Sequence, residues 1–376
     1  MNSEITIRRA TSPADERAFI RFQWKIYTRY AYWVPPLLMD RKKLIDRKGN
    51  PFYRHARMEL FLAERRGEIV GRIAAIVNDN HNREHKENIG FFGFFECVND
   101  QAAANALLDA AREWLQAQGV TAMRGPASPS VNDEYGLLVD GFDRMPYILM
   151  SYNPRYYMRL LETYGLRKIK DMFAYEVDHE TSVGDRLQRI SDTVKKRQGF
   201  TFRTLNMGDF DNEVKIIHDL YSRGWEHNWG EVPLTPEEFD YMAKDLKPVV
   251  DPRLIIIVEL KGKPIGFALS LPNLNEILIH NRKGLLLPAL ARLLLFRKRV
   301  RSVRIIILGV LPEYQGTGAG AVLFYETSRR ATENGYPHGE ASWVLEDNVM
   351  MNRAAEFLNG TRTKTYRLYQ LDFVKQ

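Results

Sequence analysis

Residues 302–320 read SVRIIILGVLPEYQGTGAG. A mainly apolar run ending at Val310 stops at Leu311-Pro312. It gives way to three glycines in five positions, Gly316, Gly318 and Gly320. Residues 319–334 then carry helical spacing, and Gly335 stops them. A strand, a glycine-rich turn and a helix in that order aim several backbone N–H groups at one point. The positive end of the helix dipole faces the same point. Such a turn is a phosphate cradle built from main chain. It is not a P-loop, because no Gly-Lys-Ser or Gly-Lys-Thr closes it. Its GxGxG spacing also departs from the GxGxxG of a dinucleotide fold.

The elements around this stretch are predicted as follows. Upstream lie a strand at Phe202–Leu205, a helix at Asp211–Trp225 and a hairpin of Leu254–Glu259 with Pro264–Ser270. Downstream come a strand at Glu340–Leu345, a helix at Val349–Leu358 and a strand at Tyr366–Phe373. The first half of the chain runs in the same order. It has a strand at Ile5–Ala10, a helix at Asp15–Tyr32, a hairpin around Arg66-Gly67-Glu68 and an aromatic strand at Ile89–Val98. A helix at Gln101–Gln118, a strand at Thr121–Gly125 and a helix at Tyr156–Tyr164 complete it. Crossover helices between strands imply an α/β class with a mixed, α+β-like sheet and parallel pairs near its centre. The shared order predicts two lobes, residues 1–178 and 183–376.

The chain has 376 residues, 45% of them hydrophobic and 27% charged, enough material for a real core. One cysteine, Cys97, excludes a disulfide framework and a cysteine zinc cluster, and reads as a core residue. No metal is expected. The N-terminus has no apolar stretch of the signal-peptide kind, and no uncharged run reaches the roughly 20 residues of a membrane span. A cytoplasmic location is expected. Lys and Arg total 54 against 47 acids, a net charge of +7. The excess is concentrated. Residues 277–312 hold no carboxylate but carry Arg282, Lys283, Arg292, Arg297, Lys298, Arg299, Arg301 and Arg304. A patch of this kind suits an anionic partner. No nucleic-acid module accompanies it, so nucleic acid is not expected.

With IIILGVLPEY, the loop Gln315–Gly320, the helix after it and ASWVLEDN further on, the chain resembles the GNAT acyltransferase superfamily. The resemblance covers roughly Phe202 to Phe373. It implies two tandem GNAT-like lobes and acyl coenzyme A as co-substrate. Gln315, Gly316, Thr317, Gly318, Ala319 and Gly320 would hold the pyrophosphate. The backbone at Gly309 and Val310 would hold the pantetheine arm, and Asn348 would contact the same arm. Many members carry a tyrosine seven residues after that asparagine, as acid toward the leaving thiolate. Here that position is Ala355, which leaves Tyr366, Tyr369 or solvent for the task. The loop matching the cradle in the first half, Asn99-Asp100-Gln101-Ala102-Ala103, has no glycine. The N-terminal lobe therefore reads as a degenerate copy that shapes an acceptor site and binds no pyrophosphate.

Acyl transfer to an amine needs a base near the thioester. Glu340, at the start of the strand beside the cradle, is the first candidate. Glu226 and His227, after the first helix of the C-terminal lobe, are the next. Asn132 and Glu134, in the long loop of the N-terminal lobe, suit a cleft wall or a turn equally well.

The insertion at 275–301 points to the substrate. Gly284–Phe296 reads GLLLPALARLLLF, seven leucines in thirteen residues with one charge, flanked by cations. It is too short to cross a bilayer, so it suits either shallow insertion at an anionic membrane surface through 282–304 or a core helix. The two-lobed layout with this insert resembles bacterial N-acyltransferases of the ceramide-synthase type. That resemblance implies a long-chain acyl group joined to a sphingoid or other lipid amine, and the basic insert at 282–304 would place the chain peripherally on the inner face of the membrane. Two other readings stay open: a small-molecule N-acetyltransferase, and a non-catalytic acyl-CoA or lipid-binding module.

Overall fold

The computed structural model describes residues 4–182, 184–225 and 229–373. They fall into two units. The first holds the chain as far as Asp171, the segment Ile277–Leu294 and the chain from Lys364 onward. The second holds Met172–Glu276 and Leu295–Thr363.

The first unit runs β1 (Thr6–Arg9), α1 (Pro13–Tyr27), α2 (Leu38–Ile45), β2 (Ala56–Arg65), β3 (Glu68–Asn78), α3 (Asp79–His85) and β4 (Ile89–Cys97). There follow α4 (Gln101–Ala117), β5 (Ala122–Gly125), a small hairpin of β6 (Ala127–Ser128) and β7 (Glu134–Tyr135), β8 (Leu137–Asp140), α5 (Tyr156–Tyr164) and the start of β9 (Arg167–Asp178). Its sheet has the order β1-β2-β3-β4-β5, with the end of β15 (Thr361–Asp372) beside β5. Arg66 and Gly67, both at positive φ, make the turn between β2 and β3 that the sequence predicts. The apolar stripe of α4, Ala103, Ala104, Leu107, Leu108, Ala111 and Leu115, is buried against Phe61, Ile73 and Phe92 of the sheet. A Cβ on Gly71 would come within 2.5 Å of Leu107, and one on Gly90 within 2.3 Å of Leu115. These two glycines let the helix lie close on the sheet.

The second unit receives the end of β9, then α6 (His179–Ser182), α7 (Asp185–Gln198), β10 (Phe200–Thr204), α8 (Phe210–Trp225), α9 (Pro236–Leu246), β11 (Ile255–Leu260) and β12 (Lys263–Pro272). After the insertion, which holds α10 (Asn275–Leu278) and α11 (Leu286–Phe296), come β13 (Ser302–Val310), α12 (Ala319–Glu333), β14 (His338–Leu345) and α13 (Val349–Phe357). Its strands lie in the order β9-β14-β13-β12-β11-β10, and β13 and β14 are the parallel pair. Ile256, Val258, Ile265, Ala268 and Leu323 form the core between sheet and α12.

The division differs from the expected 1–178 and 183–376. Met172–Asp178 pair with β14 in the second unit, while residues 364–372 and most of the insertion belong to the first. Strands β9 and β15 have 12 residues each, about twice the usual length, and each serves one unit with its first part and the other with its last. Ladder hydrogen bonds decide this, and they leave no trace in local periodicity.

Candidate active site

The cradle forms where the sequence places it. β13 ends at Val310, a short 3-10 turn spans Pro312–Tyr314, and α12 starts at Ala319. Gly316 has φ +78° and Gly318 φ +90°, a backbone that side chains rarely adopt. Gly318 is the N-cap of α12. It offers no side-chain oxygen, and no acid lies in the first turn. The Ala319 N–H donates to Thr317 Oγ1 at a long 3.4 Å, and the amides of Gly320 and Ala321, which have no intrahelical acceptor, remain available to an outside anion. The Thr317 hydroxyl donates to the Tyr314 carbonyl at 2.7 Å and fixes the loop from within. The glycines do different work. A Cβ on Gly318 would press on Val194 of α7 at 3.0 Å, whereas a Cβ on Gly320 would meet nothing within 4 Å. Gly320 borders open space at the helix mouth, and Gly318 gives the close fit of the loop on α7.

Beside the cradle the parallel pair comes apart. β13 and β14 are in register only from Ser302 with His338 to Ile305 with Ala341. Beyond Ile305, β13 continues to Val310 with β12 as its partner, and a register shift falls at Leu269/Ser270. The edge of β13 from Ile306 to Val310, Gly309 included, thus has no ladder partner on the β14 side among the described residues. Backbone amides on an open strand edge accept an extended chain that carries amides of its own, the chemistry of a pantetheine arm.

The candidate side chains are placed as follows. Glu340 is fully buried on β14, in register with Arg304 and before the strands part. Its carboxylate accepts from the Ser342 hydroxyl at 2.9 Å, and Arg304 donates to that same Ser342 oxygen at 3.0 Å. Arg304 also lies over the Trp343 ring. This buried network ties β13 to β14, so Arg304 belongs to the interior and not to the basic patch. Asn348 caps α13 by accepting from the Met351 N–H at 3.1 Å. Ala355 is core, packed with Val344 and Tyr175, whose hydroxyl donates to Asn352 at 2.8 Å. Tyr366 and Tyr369 are fully buried in the first unit, where Tyr366 pairs with Leu138 and the Tyr369 hydroxyl donates to Glu162. Glu226 and His227 lie outside the described residues.

One acid was missed by sequence reasoning. Arg223, near the end of α8, bonds Glu313 of the turn before the cradle at 2.9 Å, which brings the α8 C-terminus to that end of β13. The chain leaving α8 carries Glu231, whose carboxylate accepts from the Tyr221 hydroxyl. Burial raises the Glu231 carboxyl to about 7, against the lowering effect of that hydrogen bond. A carboxyl that titrates near neutrality can take and return a proton at working pH. Only the nearness of Glu226 hinted at it.

The matching place in the first unit is built otherwise. β4 and β5 are parallel only from Ile89 to Phe91, so these strands part as well. Here the chain itself fills the opening. The Phe94 N–H donates to Ser128 Oγ at 2.8 Å, and a Cβ on Gly93 would fall 1.6 Å from the Ala127 carbonyl oxygen. Asp100 caps α4 through the Ala103 N–H at 3.0 Å and pairs with Arg65 at 2.8 Å.

In the insertion, Arg282 donates to the Trp33 carbonyl, and Arg297 donates to the carbonyls of Val249 and Val250. Lys283, Lys298, Arg299 and Arg301 are exposed. Among the residues of α11 only Ala289 is buried. Leu287, Leu294 and Leu295 are 78%, 87% and 73% exposed.

Residues 214–357 match the family model described as "Acetyltransferase (GNAT) family". The chain is 37% identical to "Bacterial ceramide synthase" of Caulobacter vibrioides over 98% of each chain. It is 34% identical to "Protein YghO" of Escherichia coli, over 97% of this chain and 94% of that one. Among solved structures, a tandem GNAT protein from the clavulanic acid biosynthesis pathway superposes with a TM-score of 0.59, at 11% identity, over 99% of this chain and all of that one. A GCN5-related N-acetyltransferase from Sphaerobacter thermophilus gives 0.53 at 14% identity, over 99% and 98%. At those identities the structures show the fold.

Proposed function

Because this chain belongs to the GNAT family of N-acyltransferases, we propose that it transfers a long-chain acyl group from coenzyme A to the amine of a sphingoid or similar lipid. The observation that carries this reading is full-length kinship, 37% identity over 98% of each chain, with a protein named a bacterial ceramide synthase. A second observation supports a greasy substrate. α11 exposes leucines that an enzyme of small polar substrates has no reason to keep in water.

The residues divide the work. Coenzyme A supplies the thioester. The α12 first turn and the loop at 315–320 hold its diphosphate by main-chain N–H groups, and the open β13 edge at 306–310 aligns its arm. Glu231, ionised above about pH 7, takes the proton of the acceptor ammonium, directly or through water, and so supplies the neutral amine. Glu340 acts at a distance, by holding β13 and β14 together through Ser342 and Arg304.

The exposed leucines of α11 between Lys283 and Lys298-Arg299 suit the headgroup region of an anionic bilayer, apolar face in and cations at the phosphates. No described helix is long and apolar enough to cross a membrane. The protein would then take lipid amine from the surface it lies on.

The test is turnover of paired substrates. Palmitoyl-CoA with a sphingoid base in mixed micelles should release free thiol and form the amide. Turnover of acetyl-CoA with water-soluble amines, and none of the long-chain pair, would establish a small-molecule acetyltransferase instead.

A further inference from the structure

The first unit encloses a polar cavity of about 50 Å³ that the acyl-transfer reading does not use. Gln23 and Tyr27 of α1, Arg41 of α2, Arg72 of β3 and Glu96 of β4 line it, with Glu134 of the β6–β7 hairpin. Arg72 is 1% exposed, Glu96 4% and Arg41 7%. Half-buried Ser151 and Tyr152 lie on the side that reaches solvent.

Hydrogen bonds account for most of the polar atoms. Glu96 accepts from Gln23 Nε2 at 3.0 Å and from the Tyr157 hydroxyl at 2.6 Å. Glu134 takes both terminal nitrogens of Arg41. Arg72 Nη1 donates to the Phe19 carbonyl at 2.6 Å, and the guanidinium lies over the Phe19 ring. Four atoms remain without a hydrogen-bond partner: Arg72 Nε, Arg72 Nη2, Arg41 Nε and Gln23 Oε1. Arg72 Nη2 is 3.6 Å from Glu96, an ion-pair distance too long for a hydrogen bond.

The leftovers have a pattern. Three are donors and one is an acceptor. Arg72 Nε and Nη2 share one edge of a planar guanidinium, the edge that grips two carboxylate oxygens side by side. Buried guanidinium N–H groups are costly to leave unpaired, which calls for an acceptor from outside the chain. We propose that this cavity binds a small carboxylate, held bidentately by the Nε–Nη2 edge of Arg72 and supported by Arg41 Nε, with Gln23 Oε1 accepting an N–H where the ligand carries one. Burial pushes the Glu96 carboxyl above its usual range even against Arg72. The site would give the unit that lacks a cradle a ligand of its own.

Calorimetry on the full chain tests this, with acetate and glycine as probes and methylammonium as the control cation. Acetate and glycine should bind saturably, one per chain, and raise the melting temperature. Methylammonium should not bind. Tighter binding of glycine than acetate would identify an amino acid as the ligand, and equal binding a plain carboxylate. Arg72→Lys keeps the charge and removes the fork, so it should weaken acetate at least tenfold. Arg41→Lys should weaken it less, and it decides the matter if the Arg72 variant does not fold. No saturable binding to the parent, or unchanged affinity in both variants, would overturn the proposal.

Discussion

The two helices that follow the central parallel strand of each unit begin in opposite ways. α12 starts at Gly318, with no side-chain cap and no acid in its first turn. α4 starts at Asp100, whose carboxylate takes the Ala103 N–H and pairs with Arg65. One helix leaves its positive end available, and the other neutralises it with its own chain. The strand openings differ in the same sense. β13 leaves residues 306–310 without a partner on the β14 side, while Ser128 and Ala127 occupy the opening of β4. In the first unit the helix dipole and the strand edge are thus satisfied from within the chain, and the architecture is kept.

The largest expected effect breaks the competent side of this comparison. Gly320→Leu should weaken coenzyme A binding by about 100-fold or more, some 2.7 kcal/mol, while the melting temperature holds. The reason is space, since a Cβ at 320 meets nothing of the protein and stands where an anion would approach. Gly318→Leu should behave differently and lose stability, because φ +90° strains any side chain and Val194 lies 3.0 Å from its Cβ. Calorimetry with coenzyme A and thermal melts on both variants separate the roles. A Gly320→Leu protein with parental affinity would show that the cradle is not where the diphosphate binds.

Next comes the proton. Glu231→Gln should lower kcat by about 10² to 10³-fold with little change in coenzyme A affinity. In the parent, kcat/KM should rise with pH through about 7, since the carboxyl must be ionised to accept a proton and burial has raised it to that value. The sign for stability is opposite. A carboxyl whose folded value is raised supports the fold most at low pH, and that contribution is lost as pH rises through about 7. A pH profile in the variant identical to the parent's would remove Glu231 from the mechanism.

The cradle was legible in sequence because its signals are local: an apolar run, a proline stop, glycines at fixed spacing and a helix beyond. The hairpin turns at Arg66-Gly67 and Lys261-Gly262 were legible for the same reason, and both adopt positive φ. What was not legible depends on distant partners. Nothing in Met172–Asp178 or in residues 364–372 says which sheet each will join. Glu340 looked like an available acid because its bond to Ser342 and its register with Arg304 are set by the fold. Glu231 is marked only by its burial. The helix at Asp185–Gln198 went unread because DRLQRISDTVKKRQ is nearly all polar.

A smaller effect concerns α11. Leu287→Asp with Leu294→Asp should cut binding to phosphatidylglycerol vesicles by about tenfold or more, since each leucine is worth roughly 1.5–3 kcal/mol when taken out of water. Stability should move by no more than about 0.5 kcal/mol, because both side chains are already exposed. Flotation assays read the first and urea melts the second. Unfolding of the double variant would make the helix structural, and equal flotation of both proteins would remove the bilayer from the proposal.

The smallest effect sharpens the comparison from the incompetent side. Asp100→Ala removes the cap of α4 and its pair with Arg65, and should cost about 1 kcal/mol, the usual worth of an N-cap. It opens the helix end, yet it should create no second cofactor site. The β4 edge remains occupied, because Phe94 still donates to Ser128 and Ala127 still lies against Gly93. Asn99-Asp100-Gln101 also offers no glycine with which to wrap a phosphate. Equilibrium dialysis should therefore count one coenzyme A per chain in parent and variant alike. A second equivalent in the variant would mean that Asp100 alone closes the site, and that the filled strand opening is not what keeps this lobe from taking the cofactor.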